Sequence, residues 1–366
     1  MGFEGGALSY RAFYLSGKLP EDVVKRFAKH AIPPIETLGN GELNGWVSGR
    51  HLLDRKITEE NAFLAGYLRL TLVKAEKKIP EALLRAECKI EELARISAEG
   101  KAFLNRGERI EIKKEVIDRL LPKMPPTLTG IPILFDSNSQ VLYAGATTEG
   151  QMDALTIKFQ ETTGIKLIPI MPQSAALKRR SVSVEGVEPT SFSPDLEDPL
   201  AGGSIGQDFL TWLWFYSEMR GGLMTIDKDQ FGIMLEGPLT FYLEGDGAHL
   251  TLLRNGMPLV SAEAKTAMLN GKKLVSSKIT MSHQQEMWNV MLDANNFIFR
   301  GLKIPKNEED LDAISRFQQR MVSLDRFMNA FLSYYDRFLD ERLDRKQWKP
   351  VQKDIHKWVA DRVSKT

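Results

Sequence analysis

The sequence predicts an α+β protein, with antiparallel and mixed sheets, packed helices, a projecting helical arm and C-terminal helices. Three observations carry this reading. Residues 66–123 read as a strand followed by two highly charged helices. Residues 274–304 hold three alternating runs of strand length. From Leu311 to Leu339, apolar residues recur at steps of three and four, the spacing of an amphipathic helix.

Taken in order, Leu8–Leu15 alternates as a first strand, and Pro20–Lys29 reads as a helix with Val23, Val24, Phe27 and Ala28 on one side. Residues 31–62 are rich in turn formers. Gly66–Val73 is a strand. A charged break over 74–80 ends at Pro80, whose missing N–H suits the first turn of a helix. The segment 74–123 carries 13 Lys/Arg against 10 Asp/Glu, with only a narrow apolar stripe, so it is expected to project as an arm or a solvated hairpin. Next comes a compact β-β-α-β unit. It comprises strand Ile131–Phe135, a turn at Asp136–Ser139, strand Gln140–Gly145, helix Thr148–Thr163 stopped by Gly164, and strand Lys166–Ile170.

Residues 171–206 read as a loop, and the aromatic run Phe209–Tyr216 as a helix. Two or three strands are expected between Gly222 and Leu253, turning at Glu236–Pro238 and Gly245–Gly247. Ser261–Asn270 is a short helix stopped by Gly271, and Leu274–Met281, Glu286–Asp293 and Phe297–Ile304 form an antiparallel meander. The expected divisions are a first part (1–74), the arm (75–130), the β-β-α-β unit (131–172), an insert (173–254), a basic meander (255–308) and C-terminal helices (309–366).

Length permits two or three domains, and a net charge of +1 excludes no partner, because a neutral total can hide basic and acidic territories. The single cysteine, Cys88, fits a reducing compartment. The N-terminus does not have the pattern of a signal peptide, and no apolar run approaches the length of a membrane span, so a cytoplasmic protein with no membrane partner is expected. Phosphate-loop, dinucleotide, serine-hydrolase and zinc motifs are absent, and no cofactor or metal is expected. A nuclease-like trace, Asp246 followed by Glu263-Ala-Lys265, has the residue types for Mg²⁺-assisted hydrolysis, but its last part falls on an expected helix.

The basic clusters point elsewhere. Between 271 and 306 there are six basic residues and two acidic ones. Lys272, Lys273, Lys278, Arg300 and Lys303 are expected on one sheet surface, with Lys74, Lys77, Lys78, Lys113 and Lys114 adding to it from the arm. Several cations facing phosphates are what sequence-independent DNA binding requires. Trp212 and Trp214 are candidates for base stacking or, more ordinarily, for the core.

The arm resembles the bacterial RdgC family. The matching residues are Gly66, Lys74-Ala-Glu76-Lys77 before Pro80, and Lys113-Lys-Glu115-Val116 leading into Leu120-Leu121-Pro122-Lys123. Further likeness lies at Gly45-Trp46-Val47, Ile165–Ile170, Leu259–Glu263, Asn270-Gly271-Lys272, Ser276–Met281 and Gly301-Leu-Lys303. The resemblance implies a homodimeric ring that encircles duplex DNA without sequence preference, limits RecA access during recombination and repair, and associates with the nucleoid. An exonuclease label travels with the family name.

The resemblance also implies a dimer contact around Leu121, Met124 and Pro125, although the family's aromatic is replaced here by Pro125. A Lys-Gln pair of the family is replaced by Gly256 and Met257. Residues 173–250 look like an insertion that caps the ring, adds dimer surface or binds a partner. Two alternatives stay open: a metal-dependent exonuclease using Asp246, Glu263 and Lys265, and an interaction module built on the aromatic insert.

Overall fold

The computed structural model describes residues 2–188, 190–196, 203–244, 249–305 and 311–362. The first half contains β1 (Leu8–Leu15), α1 (Val23–Lys29), β2 (Glu42–Ser48), α2 (Glu59–Ala62), β3 (Phe63–Leu64), β4 (Tyr67–Lys77), α3 (Glu81–Glu99), α4 (Arg106–Leu120), β5 (Pro126–Asp136), β6 (Val141–Ala144), α5 (Glu149–Thr163), β7 (Leu167–Pro169) and α6 (Pro172–Arg180). The second half contains α7 (Ile205–Met219), β8 (Leu223–Ile226), β9 (Asp229–Tyr242), β10 (Thr251–Leu253), α8 (Ala262–Leu269), β11 (Lys273–His283), β12 (Glu286–Asp293), β13 (Ile298–Lys303), α9 (Ala313–Leu343) and α10 (Arg345–Asp361).

The strands form one sheet in the order β10-β9-β11-β12-β13-β1-β6-β5-β4-β2, with β3 on β4, β7 on β1 and β8 on β9. Every strand pairing is antiparallel, so the α+β class holds with an antiparallel rather than a mixed sheet. β1 joins two half-sheets. Its Leu8 and Tyr10 pair with β13, while Arg11–Tyr14 pair with β6. Alternation sends Leu8, Tyr10 and Ala12 into one core and Phe13 into another.

The smaller core lies between the first half-sheet and helices α1 and α5. Trp46 is fully buried there, against Phe27 and Phe159, and its indole N–H donates to Thr162. The larger core lies under the second half-sheet and is filled by α7 and α9. α7 is buried continuously from Ile205 to Tyr216, its apolar residues on several faces and its Asp208 paired with Lys273 and Arg342. Phe209 packs on Phe297, Phe331 and Tyr335. Trp212 donates to the buried carboxylate of Glu341, which also receives Arg220.

Several boundaries differ from the sequence reading. The strand that was to end at Val73 continues as β4 to Lys77, because β2 and β5 hydrogen-bond it on both sides through the charged stretch. Pro80 sits at the N-cap of α3 rather than inside its first turn. The turn-rich region contains β2, where a Cβ on Gly45 would meet the Ile32 backbone at 2.5 Å. Residues 172–180, expected as loop, form α6. Ala175 and Ala176 are buried, and Arg179 and Arg180 reach Asp336 and Asp340 on α9. β9 runs unbroken through Glu236–Pro238 with a register irregularity instead of a turn. The expected turn at Gly245–Gly247 lies outside the described residues.

Candidate nucleic-acid interface

The arm grows from the sheet as a ribbon, because β4 and β5 stay paired as far as Lys77 opposite Pro126. α3 and α4 then run antiparallel over a small core of Leu104, Ile112 and Val116, with Leu84, Cys88, Ile96 and Leu120 packed against it. Gly100 ends α3 in the left-handed conformation. Asn105 caps α4, accepting from the Glu108 N–H while the Glu108 carboxylate accepts from the Asn105 N–H.

Charge on α4 is divided between its sides. Glu108, Glu111 and Glu115 lie on one side, where Lys101 of the turn after α3 takes Glu108 at 2.5 Å and Arg95 of α3 takes Glu111 and Glu115 at 3.1 Å. Arg119 closes the hairpin onto Glu87 and Glu91. Arg106, Arg109 and Lys113 follow one another at steps of three and four, with Lys114 on the shoulder. All four are exposed, and none has an acidic partner among the described residues.

The cations at the arm's root are placed differently. Lys74 meets Glu42 at 2.6 Å and Glu76 at 3.4 Å, and Lys78 meets Glu76 at 2.5 Å. The hydrogen bond to Glu42 holds the Lys74 ammonium above its ordinary value, and that from Lys78 holds the Glu76 carboxyl below its own. Lys77 donates to the Pro122 carbonyl at 2.9 Å. Leu121, Met124 and Pro125 lie at this root, where α4 passes into β5, and not at the far 100–105 turn of the arm. Leu121 and Met124 are half-buried and Pro125 is exposed.

The meander's cations do not form one free surface. Lys273 is buried, 2.7 Å from Asp208 of α7, whose other oxygen lies 3.4 Å from Arg342, so it is removed from the expected sheet surface. Lys272 donates to Thr251. Lys278 is bound to Glu236 at 2.6 Å. With Thr280, it holds that carboxyl below its ordinary value. Arg300 lies 3.7 Å from Asp293, and Lys303 is exposed without an acidic partner among the described residues. Lys278, Arg300 and Lys303 do share the open face of the sheet, through the register Lys278–Met291–Arg300 and Thr280–Asn289–Lys303.

The other candidate chemistry does not assemble. Asp246 lies outside the described residues. Glu263 is exposed on α8, and the Lys265 ammonium donates to the Ala360 and Arg362 carbonyls, capping the end of α10. Among the described residues no group of three or more His, Cys, Asp or Glu is set to hold a metal. Trp212 and Trp214 are fully buried, so they present nothing to a base or a partner. Among the described residues no helix is long and apolar enough to cross a membrane.

Sequence reasoning missed Arg106 and Arg109. Their signal was present, since they share a helical stripe with Lys113.

Comparison with curated proteins found no match. The RdgC family model, described as "Putative exonuclease, RdgC", matches residues 11–182. That span runs from β1 through the arm to α6, a little under half of the chain. The resemblance read at Leu259–Lys303 falls beyond it. Over this span the chain is similar to the RdgC family, and the match supports a recombination-associated, nucleic-acid-related protein at family level.

Proposed function

We propose that the protein binds DNA without sequence preference, as a homodimer whose ring encloses the duplex, and thereby limits RecA access to DNA at the nucleoid. The observation that carries the reading is the charge division on α4 within the family-matched span. Four exposed cations on one side have no acidic partner among the described residues, while Glu108, Glu111 and Glu115 on the other side are held by Lys101 and Arg95. Such a surface recovers counterion-release energy from phosphates and carries no base-reading geometry. Lys303 and the loosely paired Arg300 add to it from the open face of the sheet.

The test is duplex binding by fluorescence anisotropy across a salt series, with Mg²⁺ present and the DNA examined afterwards. Binding that is indifferent to sequence, falls log-linearly with salt and leaves the DNA intact supports the reading. Absence of binding at low salt refutes it. Mg²⁺-dependent degradation abolished by Glu263→Ala would return the exonuclease alternative.

A further inference from the structure

A cleft of about 400 Å³ opens between α3 and α4 on the basic side of the arm. Arg85 and Lys89 of α3 form one wall, and Arg109 and Lys113 of α4 the other. Leu84 and the half-buried Cys88 lie on its floor. Glu81 and Glu92 also line it, each held by a wall cation of its own helix: Glu81 by Arg85, and Glu92 by Lys89 at 3.5 Å. Arg109 and Lys113 have no acidic partner among the described residues, so the cleft is electropositive by two charges.

We propose that this cleft receives a phosphodiester backbone, so that the arm grips one strand of the nucleic acid between its two helices. The inference rests on the DNA-binding reading above and assigns the contact to one place. Opposed cations on two walls over an apolar floor concentrate field in a way that a flat lysine patch does not. Arg109 and Lys113 are one helical turn apart, and Arg106 continues the line, giving an electropositive track about 10 Å long. The two ion pairs inside the cleft are i,i+4 and i,i+3 pairs at the arm's surface, of the kind that contributes little to stability. An arriving phosphate therefore displaces Glu81 and Glu92 from Arg85 and Lys89 at little cost. The cleft is too small for a duplex and offers no groove-reading helix, so the contact it makes is sequence-independent.

Cys88 provides a direct readout because it is the sole cysteine of the chain. The full chain is labelled with a maleimide in the presence and absence of duplex DNA, and Arg109→Gln/Lys113→Gln is compared with the parent over a salt series. The expected result is a several-fold slower reaction of Cys88 when DNA is bound. The variant's log–log salt slope should be shallower by about two, one for each lost phosphate contact, with its circular dichroism and Tm unchanged. If the variant keeps the parental slope, or if bound DNA leaves a reactive Cys88 unprotected, the cleft assignment is overturned while DNA binding stands. If the thiol is unreactive in the free protein, the slope comparison alone decides. If poly-glutamate protects Cys88 and the duplex does not, the cleft is a site for acidic protein instead. If the parent binds no DNA at low salt, both this inference and the DNA-binding reading fail.

Discussion

The arm and the meander both carry clusters of Lys and Arg, yet their charges end differently. On the meander, Lys273 is spent inside the core on Asp208, Lys278 is held by Glu236, and Arg300 lies near Asp293. On α4, Arg106, Arg109, Lys113 and Lys114 keep their charge for solvent, because Glu108, Glu111 and Glu115 of the same helix are taken by Lys101 and Arg95. A basic stretch of sequence is therefore not a basic surface until the fold has assigned its acids. Asp208 and Glu236 stand far from the meander in sequence and neutralise it across the sheet.

The largest expected effect separates structural from available cations. Asp208→Asn leaves Lys273 and Arg342 buried without their carboxylate and is expected to cost about 3–5 kcal/mol of stability, read by denaturant unfolding. DNA affinity of the protein that remains folded should be unchanged. A loss of affinity without a loss of stability would return Lys273 to the binding surface.

The next effect lies at the junction of the two half-sheets. Burial, helped by nearby Asp136 and opposed by the Tyr143 O–H, pushes the Asp325 carboxyl from 3.8 up to about 6. The folded protein thus holds this proton more tightly than the unfolded chain. Its contribution is fully present below pH 4 and is lost as pH rises through about 6. After allowance for partial exposure the loss amounts to about 2 kcal/mol. Asp325→Asn should flatten that slope between pH 4 and 7, as read from Tm against pH. A parallel slope in the variant would place the titration elsewhere.

The smallest effect concerns the paired side of the arm. Arg119→Gln removes exposed bridges to Glu87 and Glu91 and should lower stability by less than about 1 kcal/mol. It frees two acids on the arm, so a slight weakening of DNA binding should accompany it, visible at low salt and absent at high salt.

Much of the fold was legible because periodicity is local. The meander, the long C-terminal helix and the Thr148–Gly164 helix follow from apolar spacing and from caps within a few residues. What could not be read depends on distant partners. α6 forms where its alanines meet a core and its arginines meet α9, and β2 is a strand because β4 pairs with it. The aromatic run of α7 left base stacking open beside the more ordinary core reading until the second half-sheet and α9 closed around it. The arm's charge was visible as a total, but the sidedness of α4 needed the position of α3.

The central claim is that the unpaired cations of α4, more than those of the meander, contact phosphate. Its most direct test compares the salt dependence of duplex binding for three proteins: the parent, Lys113→Gln/Lys114→Gln, and Lys278→Gln/Arg300→Gln. The predicted result is a log–log slope shallower by about two for the arm variant and by no more than about one for the sheet variant. The reverse order, or equal losses in both, would contradict the account.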